Sequence, residues 1–116
     1  MKIYISLPMR GQETTVRSRY EFAAKILKKI FPNAVISGPL NIEDFDDTGY
    51  TKSTANGFRE HPWEWYIGED VKELLTCDTI YMCKGWEDSE GCCVELAIAK
   101  EREMLIFKEE TDVSPM

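Results

Sequence analysis

The sequence has little histidine and few basic residues, and each shortage argues against a class of function. One histidine, His61, and four cysteines without zinc-type spacing predict no metal site. Fourteen Lys and Arg face 21 Asp and Glu, a net charge of −7, so the basic surface that long DNA or RNA requires is missing. No apolar run approaches the roughly 20 residues of a membrane span, and no signal peptide opens the chain. We therefore expect a cytoplasmic protein with reduced thiols that binds neither membranes nor nucleic acid polymers.

What is present is an ordinary globular composition. At 116 residues, with 43% hydrophobic and 30% charged residues, the chain is long enough for one domain, 1–116, around one core. The acidic balance does not exclude a small anionic ligand, because a local site can override the overall field.

Hydrophobic periodicity predicts strands that alternate with helices. Strands are expected at 3–7, 34–36, 78–83 and 104–107, and helices at 13–31, at 63–76 and around Glu95. The segment 37–62, rich in turn-forming residues, is predicted to be a lid, and the tail 108–116 is predicted to fray. Such alternation favours a three-layer α/β sandwich with a four-stranded parallel sheet and right-handed crossovers, flavodoxin-like or Rossmann-like.

Glu95 is the most informative residue, because it interrupts an uncharged, mostly apolar run at 91–99. A carboxylate buried there without compensation would cost several kcal/mol, so chains retain such a group for structure or for chemistry. Asp70 likewise falls within an apolar helical stripe. Two carboxylates can cleave a glycosidic bond, one at the anomeric carbon and the other moving the proton. The alternative is structural, with Asp70 bonded to a backbone amide and Glu95 paired with an arginine.

The predicted sheet brings further polar residues towards these carboxylates, because loops after parallel strands share one edge. Ser89 and Gly91 begin a helix, where a hydroxyl and free amides suit an anion, although an ordinary N-cap is the simpler interpretation. Arg10, beside Gly11, could clamp a phosphate or be a solvated surface residue. Trp86 could stack on a base or belong to the core. The residues expected to converge are Tyr4, Arg10, Asp70, Ser89, Gly91 and Glu95.

Three segments carry a family likeness: 3–11, 70–78 and 85–95. In order and context they resemble the nucleoside 2-deoxyribosyltransferase superfamily, with the likeness covering roughly residues 2–107 and its short bacterial and phage branch most similar. The resemblance implies that Glu95 is the nucleophile at C1′, that Asp70 protonates or orients the leaving base, and that Tyr4 holds the nucleophile. It also implies that Gly91 lets substrate approach the helix start.

Ser89 separates two branches of that superfamily. Transferases acting on free nucleosides tend to have an aspartate there, whereas the nucleoside 5′-monophosphate N-glycosidases have a phosphate-binding serine. A hydroxyl donates to a phosphate that a carboxylate would repel. Ser89 and the Arg10-Gly11 pair therefore resemble the hydrolases, although Leu7 and Pro8 replace the Gly-Ser of those enzymes. Residues assigned to substrate binding are Ser89, Gly91, Arg10, Gly11, Ser6 and Trp86.

The sequence thus predicts hydrolysis of the N-glycosidic bond of a (deoxy)nucleoside 5′-monophosphate, without metal or cofactor. Deoxyribosyl transfer and non-catalytic binding of a nucleotide-derived ligand remain alternatives. The expected partner is a small nucleoside or nucleotide. A homo-oligomer is also expected, because so small a sheet leaves apolar helix faces to cover.

Overall fold

The computed structural model describes residues 1–8, 16–39 and 63–109, except the side chains of Trp63 and Tyr66. Strands and helices alternate along these residues, which confirms the predicted α/β class. A 3₁₀ turn, Trp86–Asp88, precedes the last helix. The elements are β1 (Lys2–Ser6), α1 (Val16–Ile30), β2 (Val35–Ser37), α2 (Trp63–Leu74), β3 (Thr79–Met82), α3 (Glu90–Glu101) and β4 (Leu105–Lys108).

The four strands form one parallel sheet in the order β2-β1-β3-β4. The chain first adds β2 on one side of β1 and then adds β3 and β4 on the other side. The direction of winding therefore reverses between β1 and β3, which pair with Ser6 opposite Met82. In open α/β sheets the ligand crevice lies outside the carboxyl ends of the strands at such a reversal.

Helices cover both faces of the sheet, because alternate strand residues point to opposite sides. Ile3 and Ile5 belong to a buried cluster that includes Leu27 of α1. Tyr4 lies between them in sequence and belongs to a second cluster that includes Leu96 of α3. The predicted three-layer arrangement follows from these two clusters, and the helix pair α2 and α3 shares one face.

The sequence predicts no helix or strand in the loop after β3. Gly85 has a φ of 93°, a left-handed conformation that glycine adopts without strain. The chain then enters the 3₁₀ turn, and the Ser89 amide donates to the carbonyl of Trp86. This turn brings Ser89 to the start of α3.

Predicted boundaries differ from the observed ones mainly by one or two residues. Lys108, expected in a frayed tail, closes β4 through pairing with Met82. Ser37, expected to open a lid, is the last residue of β2. The rest of the predicted lid from residue 40, the first turn of the predicted helix at 13–15 and the tail from 110 lie outside the described residues.

Every helix within the described ranges is too short or too polar to cross a membrane. The four cysteines are all free thiols.

Candidate functional site

Glu95 lies on the face of α3 that packs against the sheet. The buried residues of this helix are Cys92, Glu95, Leu96 and Ala99, which follow helical spacing of three and four. Only 3% of Glu95 is exposed. The helix therefore holds a carboxylate in the layer where it otherwise places apolar side chains, about a turn and a half after its start.

Two hydroxyl groups of β1 donate to this carboxylate, one to each oxygen. Tyr4 Oη lies 2.6 Å from Oε2 of Glu95, and Ser6 Oγ lies 2.6 Å from Oε1. Tyr4 and Ser6 are two residues apart on one strand, so their side chains share the face that α3 covers. Both are fully buried, and O–H···O⁻ bonds of this length are strong.

Burial raises the pKa of Glu95 to about 7, and the negative charge of Asp70 also raises it. The hydrogen bonds from Ser6 and Tyr4 act in the opposite direction, because they stabilise the ionised form. The pKa of Tyr4 is well above its usual range, first through burial and then through Glu95 and Asp70. Tyr4 is therefore a permanent donor, whereas Glu95 can change its protonation near neutral pH.

Asp70, on α2, is the second carboxylate of the site. It is partly buried, and its charge acts on Glu95 and Tyr4, from which it is remote in sequence. Two hydroxyls of β1 thus contact the carboxylate of α3 near the sheet reversal, and α2 carries a second carboxylate whose charge reaches them. Among the described residues Glu95 makes no ion pair, so the arginine partner of the structural alternative is not found there.

Ser89 is the N-cap of α3. Its Oγ accepts a hydrogen bond from the Cys92 amide at 3.2 Å, which leaves the hydroxyl proton for another acceptor. Among the described residues, the atom nearest to a Cβ added at Gly91 is Cδ1 of Ile67, at 3.6 Å. The described atoms around it therefore do not require a glycine at 91, and its role in substrate approach stays a prediction.

Trp86 is half-buried and packs against the same core cluster as Tyr4. The Nζ of Lys108 lies 5.0 Å from the centroid of a Trp86 ring, a cation–π contact. A predicted base-stacking role for Trp86 stays a prediction. Arg10 and Gly11, assigned to phosphate binding, lie outside the described residues.

No group of three or more His, Cys, Asp or Glu side chains suited to a metal ion occurs within the described ranges. A groove of about 420 Å³ lies away from Glu95, between the end of β2 and α2. Its acidic side chains are already paired, Glu73 with Lys2 at 3.1 Å and Glu69 with Lys72 at 2.6 Å. Neither acid of this groove is buried and unpaired as Glu95 is among the described residues.

Sequence reasoning missed how Ser6 is used. It was assigned to substrate, but its hydroxyl is directed at Glu95. It also missed Cys92, which is buried on the same face of α3 as Glu95 and lies near the hydroxyls of Ser6 and Ser89. Two spacings in the sequence indicate this arrangement. Tyr4 and Ser6 are two residues apart on a strand, and Cys92 and Glu95 are three residues apart on a helix, so each pair shares one face.

Comparison with protein-family models matches residues 1–108 to a family described as a domain of unknown function, DUF4406. Comparisons with curated proteins and with solved structures gave no match. The family match spans nearly all of the chain, including every described element and every candidate site residue. The protein is therefore a member of the DUF4406 family.

Proposed function

We propose that this protein hydrolyses the N-glycosidic bond of a (deoxy)nucleoside 5′-monophosphate. The observation that carries the proposal is the carboxylate of Glu95, 3% exposed and bonded by Tyr4 and Ser6, with the charge of Asp70 acting on it. A buried, hydrogen-bonded carboxylate beside a second carboxyl suits glycosidic cleavage. The similarity of three segments to the nucleoside 2-deoxyribosyltransferase superfamily supports the same chemistry.

In the proposed reaction the two carboxyls share one proton, and the reactive form has that proton on Asp70, where the charge of Asp70 no longer opposes the ionisation of Glu95. Glu95 forms a bond to C1′, or stabilises positive charge there, as the bond from C1′ to the base breaks. Asp70 gives its proton to the leaving base. Water then adds to C1′, Glu95 is released, and the proton of the water returns to Asp70. Coupling between the two carboxyls favours a state in which they share one proton.

Ser89 and the start of α3 are the proposed phosphate contacts. The Ser89 hydroxyl proton is not used in capping, since the oxygen accepts from the Cys92 amide. A 12-residue helix also presents the positive end of its dipole there. Arg10 and Gly11 complete the proposed phosphate contacts by resemblance alone.

A second candidate is deoxyribosyl transfer between uncharged nucleosides. It is favoured by the charge around Ser89, because Glu87, Asp88 and Glu90 flank it and are exposed. Their negative charges would weaken the attraction of a dianionic phosphate. The covalent intermediate on Glu95 would be the same, and a second base would replace water.

The test is product analysis after incubation with nucleoside 5′-monophosphates and the matching nucleosides, in ribose and deoxyribose forms, with and without a second base. Free base plus sugar phosphate supports the proposal, and base exchange supports the transferase. Tight calorimetric binding without products would instead indicate a non-catalytic binder. Glu95→Gln should abolish turnover, whereas Glu101→Gln, an exposed glutamate on the same helix, should retain it.

A further inference from the structure

The carboxylate of Glu95 is held at both of its oxygens. Tyr4 reaches Oε2 and Ser6 reaches Oε1, each at 2.6 Å. With one donor on each oxygen, the carboxylate cannot rotate about its Cγ–Cδ bond without losing both hydrogen bonds. With Tyr4 alone, the plane of the carboxylate could swing around a single contact.

The Ser6 hydroxyl has one proton, and it goes to Glu95. The nearby Cys92 thiol can donate its own proton to the oxygen of Ser6 or to that of Ser89. Burial raises the pKa of Cys92 to about 11, so this thiol keeps its proton at neutral pH. A neutral thiol is a weak acceptor, so the carboxylate of Glu95 is the stronger acceptor for the Ser6 proton.

We propose that Ser6 is a positioning residue, which acts with Tyr4 to keep the carboxylate of Glu95 in one orientation towards C1′. The proposal rests on the proposed glycosidic cleavage. It gives Ser6 a role in the reaction without contact to substrate. A nucleophile held in one orientation is close to its attack geometry before substrate arrives, and small misplacements lower rates strongly.

The same bond favours the charged form of Glu95. Burial opposes ionisation, and so does the charge of Asp70 from α2. Hydrogen bonds from Ser6 and Tyr4, both on β1, offset part of that effect, and Ser6 has the larger influence of the two. Within the part of the chain that the structure describes, Cys92 on the same helix also feels the charge of Glu95, and its raised pKa keeps it neutral. Removal of the Ser6 hydroxyl should therefore shift the protonation of Glu95 as well as its orientation.

The test compares Ser6→Ala with Thr79→Val. Thr79 is also a fully buried hydroxyl residue on a central strand, but its hydroxyl donates to Asp78 and not to Glu95. The ionisation of Glu95 is followed by ¹³C NMR titration of its carboxyl carbon, assigned with Glu95→Gln. Turnover is followed with whichever nucleotide or nucleoside the product analysis identifies. Thermal melts check that each variant is folded. Tyr4→Phe, which removes the donor to the other oxygen of Glu95, serves as a second variant.

We expect Ser6→Ala to raise the pKa of Glu95, to move the acidic limb of kcat to higher pH and to lower kcat by on the order of tenfold or more, with a smaller change in KM. Thr79→Val should alter none of these. An unmoved titration and pH profile in Ser6→Ala, or equal shifts in Thr79→Val, would overturn the proposal.

The two proposals can fail separately. If the wild type converts no nucleotide or nucleoside, the proposed function falls, and with it the role of Ser6 in a reaction. If the wild type is active but Ser6→Ala keeps its kcat and pH profile, the function stands and the positioning role falls.

Discussion

The hydroxyl of Tyr4 lies 2.6 Å from Oε2 of Glu95, although 91 residues separate them in the chain. The contact joins the first strand to the third helix across the core. It explains how a carboxylate survives in a layer of apolar side chains, because buried polar groups are tolerated when they are hydrogen-bonded. The free-energy cost of burying the charge is only partly offset, so the pKa of Glu95 stays raised and the stability of the protein depends on pH.

Glu95→Gln should make stability less dependent on pH. The pKa of Glu95 is about 7 in the fold against an ordinary 4.5, so below pH 4.5 both folded and unfolded states hold the proton. As pH rises from 4.5 to 7 the unfolded state loses it first, and the native protein loses about 3 kcal/mol that the Gln variant does not lose. Urea unfolding at pH 4.5 and pH 8 measures this difference.

The matched control is Glu101→Gln, which alters an exposed carboxyl on the same helix and should follow the wild type at both pH values. A Glu95→Gln variant that loses several kcal/mol at pH 8 would contradict the prediction. It would show that the carboxylate is required for structure and would favour the structural alternative over catalysis.

Much of the fold could be predicted because it depends on local patterns. Apolar spacing in α1 predicted a helix, and Val16, Ala23 and Leu27 are buried as that pattern requires. Ile30, predicted on the same stripe, is 61% exposed, whereas Leu27 is buried and Phe31 packs against the core. Periodicity identifies the buried face but not which residues at its margin the sheet covers.

The contacts of the candidate site were harder to predict, since they depend on strand order. Alternating strands and helices do not specify that β1 lies between β2 and β3, which brings Ser6 beneath α3. The residues alone suggest a second carboxylate or an arginine as the partner of Glu95, and the family resemblance adds Tyr4. The observed donors are the hydroxyls of Tyr4 and Ser6. The contact of Ser6 has no charge pattern in the sequence and becomes recognisable only when a strand face and a helix face are superposed.

Asp70→Asn should lower the pKa of Glu95, because the charge of Asp70 is one of the causes that raise it. Turnover should fall by about 10²–10⁴-fold through loss of the proposed proton donor. NMR titration of the Glu95 carboxyl and initial rates measure the two effects. Glu64→Gln, an exposed acid on the same helix, is the control. An unchanged titration of Glu95 would mean that Asp70 does not act on it.

Leu74→Ala should destabilise the protein by about 2–5 kcal/mol, because this leucine is fully buried at the end of α2 and a cavity would replace it. Leu75→Ala is a matched control, since the adjacent leucine is 46% exposed and its loss should cost well under half as much. Chemical denaturation measures both. Equal losses would contradict the packing of α2 against the core that contains Tyr4.

Ser89→Asp separates the two functions of that residue. Aspartate caps helices as well as serine does and suits the positive end of the dipole, which offsets repulsion from Glu87, Asp88 and Glu90. The variant should therefore stay closer to wild-type stability than Ser89→Ala. Ser89→Ala should lose about 1 kcal/mol, because the Cys92 amide loses its acceptor. Thermal melts of the two variants without substrate measure how each substitution at the N-cap changes stability.

The substrate preference of Ser89→Asp then tests whether the phosphate of the substrate binds at this residue. A carboxylate at this position repels a dianionic group, so the KM for a monophosphate should rise by at least about tenfold, while an uncharged nucleoside is affected little. Steady-state rates with a monophosphate and its nucleoside measure the ratio. An unchanged ratio would mean that the phosphate does not reach Ser89, and the acidic residues around it, Glu87, Asp88 and Glu90, would then favour the uncharged substrate.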